Sequence, residues 1–188
     1  KDPDARYSLV LEMKDLNQPE GYPDFVKLLG DELKDIREVA AEYLGDAAVK
    51  DAVRPLIQCL SAGDASIKFI AARSLGSIRS DEAVIPLIKL LEEDNDDLRY
   101  VALEALGKIG VPSALKAVSA FLKSRNHDLR FIACEAIGNI REPQSVNIVL
   151  PILKDPDFEV RLKAIEALGK IGSTAACDQL LVMLGEDN

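Results

Sequence analysis

Residues 95–109 read NDDLRYVALEALGKI and residues 157–171 read DFEVRLKAIEALGKI. Both strings hold an arginine at the fifth place, alanine at the eighth, Ala-Leu-Gly at the eleventh to thirteenth and isoleucine at the end. Working outward, Leu44-Gly45, Leu75-Gly76, Leu106-Gly107, Ile137-Gly138 and Leu168-Gly169 follow one another in steps of 31 residues. Seven places before each Leu or Ile stands a cation: Arg37, Lys68, Arg99, Arg130 and Arg161. One step further back falls on Arg6, with Met13-Lys14 where Leu-Gly would be. A fixed period of this size, kept without an insertion, signals a solenoid of stacked supersecondary units.

Each unit contains two amphipathic stripes. In 81–92, Val84, Leu87, Ile88 and Leu91 share one helical face; in 95–109, Leu98, Ala102, Ala105, Leu106 and Ile109 share another. Asp64, Asn95, Asn126 and Asp157 each lie four before a cation, where a side-chain oxygen caps a helix N-terminus. Pro112 and Pro143 suit the first turn of the next first-helix, where no N–H is missed. Pro55 and Pro86 fall inside their first-helices and are expected to bend them. The glycines are assigned mostly to helix ends.

The pattern predicts an all-α fold: a right-handed α-α solenoid of about six helix pairs and roughly eleven helices, with no β-strands. A single array is expected over 1–188, with units near 4–30, 35–61, 64–92, 95–123, 126–154 and 157–184. The first unit departs, through Met13-Lys14 and a Pro-containing stretch over 17–21 expected to be a longer loop. The chain opens on a second-helix, 4–15, and closes on a first-helix, 174–184, in which Leu180, Leu181 and Met183 have no cap after them. Glu186-Asp187-Asn188 echo Glu93-Asp94-Asn95, so the array is expected to continue within a longer protein.

The hydrophobic fraction of 48% supports a core, while 5% aromatics and no Trp suit close helix packing. A net charge of -9 argues against nucleic acid and anionic lipid as partners. No apolar run approaches the ~20 residues of a membrane span.

The chain resembles HEAT-repeat proteins, specifically the short-repeat kind associated with phycobilisome lyases. The strings Asp97-Leu98-Arg99…Ala102…Ala105-Leu106-Gly107…Ile109 and Glu159-Val160-Arg161…Ala164…Ala167-Leu168-Gly169…Ile171 carry the likeness. Two residues before each cation stand Asp4, Asp35, Ser66, Asp97, Asp128 and Glu159. The resemblance implies that Asp35/Arg37, Asp97/Arg99, Asp128/Arg130 and Glu159/Arg161 form a structural ladder linking neighbouring units. Ser66/Lys68 would be its weakened rung, a softer joint.

By alignment Cys59, Cys134 and Cys177 take core positions, with neither zinc nor disulfide spacing, which points to a reducing, cytoplasmic setting. His127, the only histidine, falls in a loop without a nucleophile or carboxylate at motif spacing. No His-Glu iron pairs, phosphate loop, metal site or cofactor site is read, and no enzyme activity is expected.

At about 100° per residue, places three, seven and ten after the cation face the core, while one, five and nine face away. The resemblance implies that the latter side lines a concave surface. One after the cation stand Tyr7, Glu38, Phe69, Tyr100, Phe131 and Leu162; two after, Ser8, Val39, Ile70, Val101, Ile132 and Lys163; five after, Leu11, Glu42, Arg73, Glu104, Glu135 and Glu166. Phe69, Tyr100 and Phe131 would form an aromatic ladder roughly 20 Å long. Ile70, Val101 and Ile132 would flank it on one side, and Arg73, Glu104 and Glu135 on the other. This is the anatomy of a protein-binding surface for a helical segment with apolar anchors and basic flanks. The expected function is a non-catalytic interaction scaffold. A bilin lyase subunit handling a tetrapyrrole and a spacer between flanking domains are the alternatives.

Overall fold

The computed structural model describes residues 2–172. The predicted first-helix at 174–184, with Cys177, Leu180, Leu181 and Met183, lies outside the described residues. Eleven α-helices and no strand occur among them: α1 (Pro3–Leu16), α2 (Tyr22–Leu28), α3 (Lys34–Asp46), α4 (Val53–Ala62), α5 (Ala65–Ile78), α6 (Val84–Leu90), α7 (Asp96–Ile109), α8 (Leu115–Ser119), α9 (His127–Ile140), α10 (Val146–Val149) and α11 (Phe158–Ile171). Odd-numbered helices are the second-helices of the repeat and even-numbered ones the first-helices. The chain divides into two compact units, Lys1–Ala105 and Leu106–Asn188.

Every first-helix among the described residues is entered through a 3-10 turn, at Pro19–Gly21, Lys50–Ala52, Asp81–Ala83, Pro112–Ala114 and Pro143–Ser145. These turns share one register, so the stretch 17–21 is a regular repeat turn and not the longer loop expected. Pro112 and Pro143 open such turns, as anticipated. Pro55 and Pro86 sit in the first turn of α4 and α6, where the α-helical N–H groups have no intrahelical acceptor. The switch into α geometry also occurs in units without these prolines.

The caps follow the predicted register. Asp64 Oδ1 accepts from the N–H groups of Ser66 and Ile67, Asn95 from Asp97 and Leu98, Asn126 from Asp128, and Asp157 from Glu159 and Val160. The C-terminal turns close through a left-handed residue at the same register: Asn17, Ala48, Arg79, Gly110, Arg141 and Gly172. Only Gly110 and Gly172 take that conformation without steric cost.

The glycine of the repeat does a different job from the one expected. It lies inside the second-helix, where the next second-helix approaches. A Cβ on Gly45 would meet Ser74 Oγ at 2.3 Å, one on Gly107 would meet Ala136 Cα at 2.7 Å, and one on Gly138 would meet Ala167 Cα at 2.8 Å. Ser74 Oγ donates to the Ala41 carbonyl at 2.8 Å across this seam. In the first unit the core runs through Phe25, Ile36, Leu44, Leu56, Leu75 and Leu87, with the Phe25 and Tyr43 rings 4.4 Å apart. In the second it runs through Leu129, Ile137 and Leu168.

A cation ladder exists, but its acids are not the predicted ones. Asp35, Asp97, Asp128 and Glu159 are exposed in the first turn of their helices and do not pair with the cation two residues on. Side chains two apart on a helix point in nearly opposite directions. Each cation instead reaches turns. Arg130 Nη1 donates to the carbonyls of Ser124 (2.9 Å) and Arg125 (3.4 Å) in its own turn. Its Nε and Nη2 grip both oxygens of Asp155, in the following turn, at 2.8 and 2.9 Å. Asp155 is buried, and its Oδ1 also accepts from the Asp157 N–H. Arg6 pairs with Asp31 and Glu32, and Lys68 Nζ with Glu93 Oε1 at 2.7 Å. Asp31, Glu93 and Asp155 share the register six places before the next cation. Arg99 pairs within its own turn, with Asp94 at 3.4 Å and Asp96 at 2.8 Å. The Ser66/Lys68 rung is not softened, because Ser66 Oγ donates to Glu38 while Lys68 holds Glu93.

Burial pushes the Asp155 carboxyl up, and the Arg130 hydrogen bonds, the Asp157 N–H and the nearby charges of Arg130 and Arg161 together more than offset it, leaving it below the usual carboxylate range. Removing one partner of a largely buried pair strands the other. Asp155→Ala is therefore expected to cost about 3 kcal/mol. Asp97→Ala, at the register first assigned to the ladder, should stay within about 0.5 kcal/mol. Urea unfolding of the two variants separates the assignments; equal costs would return the ladder to the first-turn acids.

Gly138→Ala gains about 1 kcal/mol of helix propensity but drives a methyl into the α11 backbone, an overpacking cost of about 1–3 kcal/mol. A lowered thermal midpoint is expected. Gly21→Ala, with open space around its Cβ, should leave the midpoint nearly unchanged.

Candidate functional site

The side of the second-helices that the core does not use is built from the places one and five after the cation. In the first unit, Phe69 on α5 and Tyr100 on α7 are half-buried, as are Arg73 and Glu104 one turn further along. In the second unit, Phe131 and Glu135 on α9 are likewise half-buried. These six keep surface available to a partner. The place after the cation does not require an apolar side chain for folding: Glu38 occupies it on α3, and Leu162, at 40% exposure, on α11.

The flanking trio is corrected. Val101 is fully buried, Ile132 is 2% exposed and Ile70 is half-buried. The reason is helical geometry. Ile132 lies one turn before Ala136, the residue that abuts Gly107 of the preceding second-helix. Ile70 stands in the same relation to Ser74, which abuts Gly45. The place two after the cation therefore belongs to the seam between second-helices, so Val101 and Ile132 are core residues and not contact residues.

The charges of this face are committed to bridges between helices, a feature absent from the sequence reading. Glu42 on α3 receives Lys14 Nζ from α1 at 3.0 Å and Arg73 Nη2 from α5 at 2.9 Å. The Lys14 hydrogen bond, and then Arg73, hold the Glu42 carboxyl below its usual range against the opposing effect of desolvation. In the second unit Lys163 Nζ lies 2.6 Å from Glu166 and 3.9 Å from Glu135. The same ammonium stands 4.8 Å from the centroid of the Phe131 ring, a cation–π geometry. Lys170 Nζ donates to Asn139 at 2.8 Å. The rim is thus acidic in composition but largely neutralised in place. Lys14 and Lys163 were the missed residues. Lys14 stands where the later units carry glycine and Lys163 where the others carry Ser8, Val39, Ile70, Val101 and Ile132, so each is visible in the sequence only as a departure from its register.

Cys134 is buried, and burial pushes its thiol up to about 12. Cys59 is half-buried and its thiol is also pushed up by burial; both are unreactive as thiolates at neutral pH. His127 is exposed at the start of α9 and lies 3.3 Å from Asp128. No group of three metal-ligating side chains occurs among the described residues. No helix among them is long and apolar enough to cross a membrane.

A family model described as HEAT repeats matches residues 53–130 and 116–188. None of the curated proteins matches the chain. Among solved structures, the complex of CpcE and CpcF of phycocyanin lyase from Nostoc sp. PCC7120 is similar at a TM-score of 0.70 and 26% identity, over 85% of this chain and 68% of that one. A designed armadillo repeat protein in complex with the peptide (KR)4 is similar at a TM-score of 0.69 and 17% identity, over 92% and 96%. An engineered protein is similar at 0.64 and 24%, over 87% and 85%. The last two show the fold alone.

The bridge at Glu42 has a pH signature. A carboxyl depressed on folding contributes stability above its unfolded value, near 4.3, and that contribution disappears as pH falls through the folded value. The pair is partly exposed, so its worth is at most about 1 kcal/mol. Glu42→Gln is expected to narrow to no difference from the wild type in urea midpoint as pH is lowered below 4. A gap that persists in acid would mean that Glu42 acts by packing and not by charge.

Proposed function

The chain belongs to the HEAT-repeat family, and from that premise we propose that it is a non-catalytic scaffold that binds another protein through the aromatic residues one after the cation, Phe69 and Tyr100 in the first unit and Phe131 in the second. The observation that carries this reading is the register one after the cation. Glu38 shows that folding tolerates a charge there, yet three successive second-helices carry half-buried aromatic rings at that place. Rings held by a rigid helix lose little entropy on binding and supply most of the energy at such surfaces. Because Glu42, Glu135 and Glu166 are already paired, the contacts that select the partner are apolar. The net charge of -9 acts at longer range, favouring approach of a cationic segment. The free thiols of Cys59 and Cys134 fit a reducing, cytoplasmic setting.

A second reading, a subunit of a bilin lyase, draws on the 26% identity with the phycocyanin lyase complex. On that reading the same residues take a linear tetrapyrrole. Two measurements separate the readings. In a pull-down from source-cell lysate, the wild-type chain is expected to retain a protein that the Phe69→Ala, Tyr100→Ala, Phe131→Ala variant loses, with helicity unchanged by circular dichroism. Identical retention by both chains would move the binding surface elsewhere. In a titration with a linear tetrapyrrole, an unchanged visible spectrum is expected for the scaffold and a red-shifted band for the lyase subunit.

A further inference from the structure

Among the described residues, Arg37 and Arg161 are the repeat cations that pair with no acid, and Arg37 opens onto a cavity. The complete rung is Arg130: Nη1 holds the carbonyls of its own turn, and the Nε–Nη2 edge holds the Asp155 carboxylate of the next turn. Arg37 makes the first half of this pattern. Its Nη1 donates to the Asp31 and Glu32 carbonyls at 2.8 and 3.0 Å. The second half is missing, because the register of Asp31, Glu93 and Asp155 is occupied by Ala62, which has no carboxylate. No carboxylate among the described residues lies within ion-pair distance of Arg37. Asp64 feels its charge, but the Asp64 carboxylate is turned to the Ser66 and Ile67 N–H groups at the start of α5. Arg161 pairs with no acid among the described residues, Glu186 at its register lying outside them, and its guanidinium lies 5.5 Å over the Phe158 ring.

Arg37 lines a cavity of about 410 Å³ with Lys27, Leu29, Pro55, Cys59 and Gly63. The wall beside it is kept low by Gly63, where a Cβ would strike Ile67 Cγ2 at 2.1 Å and the Cys59 carbonyl at 2.7 Å. The repeat supplies its own control. One unit on, the equivalent cavity, about 460 Å³, is lined by Lys68 and by Glu92, Glu93 and Asp94. There the cation is satisfied from within by Glu93. The two cavities differ at the repeat's own cation: Lys68 has Glu93 beside it, whereas Arg37 has no carboxylate, Lys27 being paired with Asp24 at 2.9 Å, and Leu29, Pro55 and Ile67 supply the apolar part of the lining.

We propose that Arg37 and this cavity bind a carboxylate carried on a small apolar group, the ligand's oxygens taking on Arg37 the place that Asp155 takes on Arg130. Fork-on-fork pairing of guanidinium and carboxylate is geometrically specific, and a half-enclosed site strengthens it. A peptide C-terminus ending in an aliphatic residue and a free branched-chain acid share this chemistry. The site lies at the turns, away from the aromatic face, and stands or falls independently of the scaffold reading.

The test uses the full chain, isocaproate, isocaproamide and acetyl-Gly-Gly-Leu with a free carboxylate, followed by two-dimensional NMR titration. Isocaproate is expected to shift the resonances around Arg37, and the amide to leave them in place. Ala62→Asp restores the missing acid by register and is expected to weaken isocaproate at least about tenfold, equivalent to about 1.4 kcal/mol, while raising the thermal midpoint. Ala62→Asn, of similar size and without charge, should retain binding and shows that loss in the aspartate variant is not steric. Tighter binding of the peptide than of isocaproate assigns the ligand to a chain terminus, and equal binding assigns it to a free acid; either upholds the site. Absence of shifts with both carboxylates, or equal affinity in the wild type and Ala62→Asp, overturns it.

Discussion

A guanidinium that closes two turns at once is the interaction on which the rest of this structure depends. Arg130 fixes the turn before its own helix through two carbonyls and the following turn through both oxygens of Asp155. The carboxylate in turn accepts the Asp157 N–H and shapes the entry to α11. One residue therefore sets where the next second-helix begins. An ion pair this buried recovers its desolvation cost only when its other hydrogen-bonding capacity is met. The turn carbonyls and the Asp157 N–H meet it. Lys68 can make the link to Glu93 but has no planar fork with which to hold its own turn at the same time.

With the turns fixed, the second-helices can approach closely, and the register of glycine against Ser74, Ala136 and Ala167 shows how closely. That approach explains which surface remains for function. Places two and six after the cation enter the seam, so Val101, Ile132 and Ala136 are core residues. Places one and five stay at the surface. Charges at the fifth place reach the neighbouring helix, as Glu42 reaches Lys14 and Arg73. The bridges hold the surface rigid and lower its net field. The half-buried rings one after the cation, Phe69 and Tyr100 in the first unit and Phe131 in the second, keep part of their surface outside that packing.

Period, helix type and cap register were legible because each is local: 31-residue identity, a 3.6-residue stripe and an oxygen three residues before an N–H are all visible along the chain. The ladder's acids were not. Asp97 stands two residues from Arg99 in sequence, but the helix turns the two side chains apart. Asp155 stands 25 residues after Arg130, and only folding brings them together. Val101 and Ile132 were misplaced for a similar reason, since 100° arithmetic gives a direction on one helix and does not say how far the next helix wraps around it. The glycine was read as a helix end because glycine commonly is one, whereas its meaning here lies in the neighbouring helix.

A departure from a repeat is informative only once the role of the repeated residue is known. Ser66 breaks the first-turn acid pattern and looked like a defect, yet that acid carries no rung, and Ser66 finds Glu38 across the seam. Ala62 breaks a pattern that is only partly kept in the sequence, since its register reads Asp31, Ala62, Glu93, Ser124, Asp155 and Glu186. Its significance comes from Arg130, which shows what a guanidinium at that register does with a carboxylate in reach. Arg37 makes the same turn contacts at the same register and lines an open cavity. The constraint that builds the array thus also defines, at the rung where it is half met, the shape and charge of what would complete it.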